Sequence, residues 1–128
     1  MSEHILAGAR ILVVEDEYLL ADDLCEALRN AGADVIGPAA SVEDATALIG
    51  RGGKLDAAVL DINLRGEMVF PVADALRANG IPFAFATGYD ESVLPDRFTA
   101  VPRIEKPFKG SKLAALLAPM LVSGSGYP

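Results

Sequence analysis

Apolar residues fall along this chain in two alternating textures, short continuous runs and longer stretches at helical spacing. The first run, Arg10-Ile-Leu-Val-Val-Glu15, is rich in β-branched residues and suits a strand buried on both faces. From Tyr18 the spacing changes. Leu20, Leu24, Ala27, Leu28 and Ala31 form one helical stripe, and Asn30-Ala31-Gly32 supplies a stop. Val35-Ile36 reads as a weak second strand before Gly37-Pro38. Ser41-Val-Glu-Asp44 has the form of a capping box, with Asp44 in place of the usual Glu. Val42, Ala45, Leu48 and Ile49 follow on one face, and Gly50 to Gly53 ends that helix; this glycine stretch lacks phosphate-loop spacing.

Ala57-Ala-Val-Leu-Asp-Ile62 predicts a third strand, followed by a polar loop from Asn63 to Glu67. Pro71 suits a first helical turn, and Val69, Val72, Ala73 and Leu76 share a face up to Asn79-Gly80. Ile81 to Ala86 predicts strand four, with Pro82 tolerable near its start. Glu91 to Phe98 allows at most a short helix, weakened by Pro95. Val101 to Glu105 predicts strand five. Ser111 caps a last helix with Leu113, Leu116, Leu117, Met120 and Leu121 on one stripe, which Pro119 should kink or end. Ser123 to Pro128 reads as a loose tail. Five strands alternating with about five helices predict an α/β fold, a parallel sheet covered on both faces.

Composition narrows the function. The chain has 128 residues, 52% hydrophobic and 23% charged, which suits one globular domain and excludes disordered and collagen-like classes. Its net charge of −7 argues against direct binding of nucleic acid. The single cysteine, Cys25, excludes a disulfide framework and a multi-cysteine zinc site, and reads as helix packing. The single histidine, His4, sits near the N-terminus, away from any catalytic triad pattern. The apolar stretch from Ile5 to Val14 is broken by Arg10 and followed by three acids, so it is neither a signal peptide nor a membrane span. The expected chain is cytoplasmic and makes no membrane contact.

In parallel sheets of this kind, ligands bind beyond the carboxyl ends of the strands. Strand one ends in Glu15-Asp16, strand three in Asp61 with Asn63 just after it, strand four in Thr87-Gly88, and strand five in Lys106-Pro107. Taken singly, the acid pair could simply open a helix and Lys106 could be a surface cation. Asp61 is different, because a charge closing an apolar run needs a partner or a function. Together they would place three carboxylates, a hydroxyl and an ammonium in one crevice. Clustered carboxylates call for a compensating cation, and Mg²⁺ suits oxygen ligands. A carboxylate beside Mg²⁺ and a Lys can act as a nucleophile toward phosphorus.

At these residues the sequence resembles the receiver domain of two-component response regulators, similar to single-domain chemotaxis regulators. Ile11-Leu-Val-Val-Glu-Asp-Glu17, Val59-Leu-Asp-Ile-Asn-Leu64, Phe85-Ala-Thr-Gly-Tyr89 and Glu105-Lys-Pro-Phe108 carry the resemblance in order and spacing, from about Arg10 to Leu121. It implies a flavodoxin-like, doubly wound five-stranded sheet of order 2-1-3-4-5. Residues 10–122 would be the receiver, 1–9 an N-terminal extension and 123–128 a flexible tail. It implies that Asp61 is the phosphoacceptor, served by a histidine kinase or a histidine phosphotransfer protein. Glu15, Asp16, Asp61 and the backbone carbonyl of Asn63 would bind Mg²⁺. Thr87 would be the switch hydroxyl and Lys106 the phosphate-pairing cation, with a cis peptide before Pro107. On this reading the protein is not an enzyme but a phosphoacceptor that assists its own phosphorylation and dephosphorylation. It then signals by conformational change, or relays or sinks phosphate.

Phe85 to Tyr89 resembles a subfamily found in alphaproteobacterial signalling. Arg103 stands where the family often carries an aromatic switch residue. We therefore expect Arg103 to point outward, and switching to fall to Thr87, Gly88, Tyr89 and a mobile loop toward Pro95. With only a short tail after Leu121, the expectation is a stand-alone chain without an output domain, a receiver cut from a longer protein being the other possibility. Two other readings are an aspartyl-phosphate phosphohydrolase similar to haloacid dehalogenases and a pseudo-receiver that never takes phosphate. The first requires an Asp where Asn63 stands, and the second sits poorly with intact Asp61, Thr87 and Lys106.

Overall fold

The computed structural model describes residues 4–51, 53–88 and 94–123. The apolar runs form strands and the periodic stretches form helices: β1 (Arg10–Val14), α1 (Tyr18–Asn30), β2 (Asp34–Ala39), α2 (Val42–Gly50), β3 (Ala57–Asp61), β4 (Asn63–Leu64), β5 (Glu67–Met68), α3 (Phe70–Ala78), β6 (Phe83–Thr87), β7 (Arg103–Glu105) and α4 (Gly110–Ser123). One turn of 3-10 helix, Asp96–Phe98, lies between β6 and β7. The main sheet has the order β2-β1-β3-β6-β7, all parallel. This is the expected 2-1-3-4-5 arrangement of a flavodoxin-like fold once the small β4-β5 ribbon is set aside. The chain reverses its winding between β1 and β3, and that reversal opens a crevice at their carboxyl ends.

Strand alternation divides the interior into two cores. Leu12, Val14, Ala58, Leu60, Phe83 and Phe85 face α2 and α3. Ile11, Val13, Ala57, Val59, Ala84 and Ala86 face α1 and α4. The aromatic rings therefore collect on the first side and alanines on the second, where the helices can lie close. Gly110 marks that closeness, since a Cβ there would meet the Ala27 Cβ at 2.8 Å.

Local chemistry explains the ends of the elements. The Asp44 N–H donates to Ser41 Oγ at 3.1 Å, the cap predicted for α2. Gly32, at φ +95°, follows α1 and returns its N–H to the Arg29 carbonyl. Pro71 sits in the first turn of α3.

Several elements depart from expectation. The segment predicted as a polar loop is a two-residue hairpin: Asn63 pairs with Met68 and Leu64 with Glu67. Its turn residues, Arg65 at φ +55° and Gly66 at φ +90°, adopt the left-handed conformation that such turns demand. β2 runs on through Gly37-Pro38 to Ala39, because it is an edge strand with a register irregularity that spares Pro38 a ladder bond. β6 starts at Phe83, leaving Ile81 and Pro82 outside the strand. Pro119 does not end α4, which continues to Ser123. Met120 and Leu121, beyond it, still pack on the α1/α4 core, and that burial offsets the missing donor. Four α-helices are present among the described residues, and of the segment 91–98 only the last three residues are helical there.

Leu6 is fully buried in the α1/α4 core and its N–H reaches the Ala31 carbonyl at 2.8 Å, so residues 6–9 pack against the domain. Tyr89 and the rest of 89–93, and the tail 124–128, lie outside the described residues. No helix among the described residues is long and apolar enough to cross a membrane.

Candidate functional site

The site begins where the apolar strands stop. β1 and β3 pair through Val14 and Leu60, so the next residue of each, Glu15 and Asp61, emerges side by side at the crevice. The alternation that sends Ile11 and Val13 toward α1 and α4 carries Glu15 the same way, and likewise Ala57, Val59 and Asp61. Beyond β7, the Lys106 N–H donates to the Thr87 carbonyl at 2.7 Å, holding the residue in line with the sheet. The peptide that follows, Lys106-Pro107, is cis, as the resemblance implies.

Lys106 then reaches back across two strands. Its ammonium donates to Glu15 Oε1 at 3.0 Å and to Asp61 Oδ1 at 3.2 Å. The Glu15 side chain is fully buried, and those of Asp61 and Lys106 are only 12% and 16% exposed. Glu15 Oε2 also accepts the Glu17 N–H at 3.2 Å, so both its oxygens are engaged. Carboxylate oxygens of Glu15, Asp16 and Asp61 lie within 4.8 Å of one another.

This crowding sets the electrostatics. Burial, reinforced by the charge of Glu15, pushes the Asp61 carboxyl up to about 7, against the opposing pull of Lys106. Burial works to lower Lys106, but the hydrogen bond to Glu15 and the charge of Asp61 prevail and hold it above its ordinary value. The pocket thus carries more negative charge than one ammonium balances. Its all-oxygen donor set and surplus of carboxylates fit a hard divalent cation such as Mg²⁺.

Four of the sequence-predicted residues, Glu15, Asp16, Asp61 and Lys106, meet here. Asn63 stands at the pocket edge, in the first position of the β4-β5 ribbon. Its side-chain oxygen accepts the Gly66 N–H at 2.6 Å and is committed to that turn. Thr87 is buried at the end of β6, where alternation sets it with Phe83 and Phe85 instead. Its hydroxyl donates to the Gly88 carbonyl at 2.9 Å. Arg103 is exposed on the edge strand β7, outward as expected.

One pocket residue was not anticipated from the sequence. Arg65 Nε donates to Asp16 Oδ2 at 3.2 Å from the tip of the ribbon. The signal was present as Arg65-Gly66 between two-residue strands, but a four-residue match is too short to announce a hairpin.

No family model matches the chain. Its structure does find relatives. A solution structure of SdrG from Sphingomonas melonis Fr1 is 43% identical, with a TM-score of 0.79, and the match covers 89% of this chain and 97% of that one. SdrG in its BeF3-activated conformation, from Pseudomonas melonis Fr1, is 41% identical with a TM-score of 0.74, covering 94% and 99%. The REC domain of the response regulator PhyR from Erythrobacter litoralis is 26% identical with a TM-score of 0.79, covering 91% and 92%. The chain belongs to the response regulator receiver domains. As a receiver it is a component of two-component signalling. The sensory transduction protein LytT of Bacillus anthracis agrees, at 36% identity over 112 residues, 84% of this receiver and 45% of LytT. The chain spans about half the length of the curated relatives it matches.

Proposed function

We propose that this receiver accepts a phosphoryl group on Asp61 from the phosphohistidine of a histidine kinase or a histidine phosphotransfer protein. The observation that carries the reading is the placement of Asp61, a nucleophilic carboxylate at the carboxyl end of β3 with the Lys106 ammonium 3.2 Å from Oδ1. In the transfer, an Asp61 carboxylate oxygen bonds to phosphorus as the phosphorus–nitrogen bond to the donor histidine breaks. Lys106, already on Asp61, is positioned to pair with an oxygen of the incoming group. The Thr87 hydroxyl would exchange its bond to the Gly88 carbonyl for one to the phosphoryl oxygen, and that exchange would signal the event along β6. Glu15, Asp16, Asp61 and the Asn63 carbonyl would hold Mg²⁺. The ion, when bound, supplies positive charge that offsets the carboxylates and the transferring oxygens.

On this reading the chain is a phosphoacceptor assisting its own modification, not an enzyme acting on a separate pool of substrate, and it works in the cytoplasm. The activated conformation of SdrG with BeF3 supports it by analogy, since that group resembles a phosphoryl group in shape and charge. The phosphohydrolase reading lacks its general acid, because the Asn63 side chain serves the Gly66 turn. Incubation with acetyl phosphate and Mg²⁺, followed by mass analysis, should add one phosphoryl group on Asp61. Asp61→Asn should take none. Label retained by Asp61→Asn would move the acceptor elsewhere, and a parent refractory to every donor would leave a pseudo-receiver.

A further inference from the structure

Lys106 answers for two of the three acids in the pocket, Glu15 and Asp61. The third, Asp16, has its own cation. Arg65 Nε lies 3.2 Å from Asp16 Oδ2, and Arg65 Nη2 lies 3.5 Å from the Asp16 carbonyl. We propose that Arg65 is the internal counter-ion of Asp16, occupying that carboxylate in the metal-free pocket and competing with a divalent cation for it. The inference rests on the reading that Asp16 is a metal ligand.

The backbone is built to present this side chain. Arg65 takes φ +55°, the sole non-glycine residue in the left-handed region among the described residues. That conformation crowds the Cβ of an L-residue against its own carbonyl, so it is held only where the surroundings demand it. The ribbon holds it there from three sides. The Gly66 N–H is fixed by Asn63 Oδ1, the Val69 N–H by the Ile62 carbonyl at 2.9 Å, and Glu67 Oε1 accepts the Val42 N–H at 3.3 Å. The guanidinium thereby bridges 49 residues of sequence to the pocket rim.

The two partners differ in freedom. The Asp16 side chain is 9% exposed and the Arg65 side chain 80%. Arg65 can therefore swing into solvent without unpacking anything, whereas Asp16 stays where the other carboxylates need it. A cation entering the pocket displaces a mobile arm and meets no steric gate. A pair with one arm in solvent is worth little, and its loss shifts a competing equilibrium only a few-fold.

The test is a Mg²⁺ titration without phosphoryl donor, followed by amide shifts at residues 15, 16 and 61, in low salt. Arg65→Asn removes the charge and tolerates the left-handed turn; Arg65→Gly does so without strain and serves if the first variant folds poorly. Both should bind Mg²⁺ about two- to five-fold more tightly than the parent, and the gap should close in high salt. The parent Arg65 Nε–H resonance should move together with the Asp16 amide as the ion binds. In an Asp16→Asn background the gap should vanish. Equal or weaker binding by both variants overturns the proposal, and so does a gap that survives Asp16→Asn, which would be a long-range charge effect. A parent that binds no Mg²⁺ overturns the metal reading and this inference together.

Discussion

Around Phe98 the chain gathers four phenylalanine rings; around Asp61 it gathers three carboxylates and an ammonium. Phe98 stacks on Phe70 at 5.6 Å between centroids and meets Phe83 and Phe85 edge-on at 6.1 and 5.9 Å. Arg77 and Arg97 lay their guanidinium groups over its outer faces, at 5.0 and 4.6 Å. Every group there is satisfied by its neighbours. At the carboxyl ends of the same sheet, burial and then the charge of Glu15 hold the proton of Asp61 on to about 7. The first region is arranged for stability. The second crowds carboxylates together, a repulsion that a bound divalent cation would relieve. A receiver needs both, because a site poised to change must be carried by a core that does not.

The sharpest way to break this contrast is Phe98→Ala. Phe98 is fully buried and touches three rings, so the variant should lose about 3–5 kcal/mol of unfolding free energy in urea titrations. A loss under 1 kcal/mol would mean that the cluster collapses to fill the space. Next, Lys106→Met removes the cation that pairs with Asp61 while roughly preserving length. It should slow phosphoryl uptake from acetyl phosphate by about 10²-fold or more, read as initial rates of label on Asp61.

A smaller effect tests the cost of the pocket. The native Asp61 carboxyl ionises near 7 against an ordinary 3.8. From pH 4 to 7 the unfolded chain releases this proton and the native chain keeps it, so the group's contribution to stability falls as pH rises through that window. Metal-free Asp61→Asn should therefore match the parent near pH 4 and exceed it by about 1–2 kcal/mol at pH 7.5. Parallel pH–stability curves for the two proteins would remove the argument. The smallest effect belongs to the rim of the aromatic cluster. Arg97 forks onto Asp74 at 3.0 and 2.9 Å and holds that carboxyl below its usual range, but both side chains are half exposed. Asp74→Asn should cost at most about 0.5 kcal/mol, and nothing measurable in 0.5 M salt.

Much of the scaffold was legible because its signals are local. Ile11 to Val14 and Ala57 to Leu60 have no polar interruption, and a strand buried on both faces leaves just that trace. Ser41 and Asp44 lie within one helical turn, so the cap that joins them is written in four letters. Where a distant contact decided the outcome, local reading stopped short. Pro119 reads locally as a kink or an end to the helix, and what accompanies the run of α4 on to Ser123 is the packing of Met120 and Leu121 against the α1/α4 core. Thr87 lies at the end of its strand as read, buried, with its hydroxyl on the Gly88 carbonyl, and that resting bond has no signature in the sequence.

By itself the sequence determined the alternation of strand and helix, the order of the sheet by its resemblance, and the presence of Glu15, Asp16, Asp61 and Lys106 at strand ends. Periodicity and strand termini are properties of a few neighbouring residues, and a parallel sheet collects its strand ends without further instruction. Only the tertiary structure decided which cation answers which acid. Lys106 lies 91 residues from Glu15 and 45 from Asp61, and Arg65 lies 49 from Asp16. Those pairings depend on the reach of two long side chains across a crevice whose width is set by strand spacing and by a hairpin, and no local pattern encodes a distance between segments that far apart.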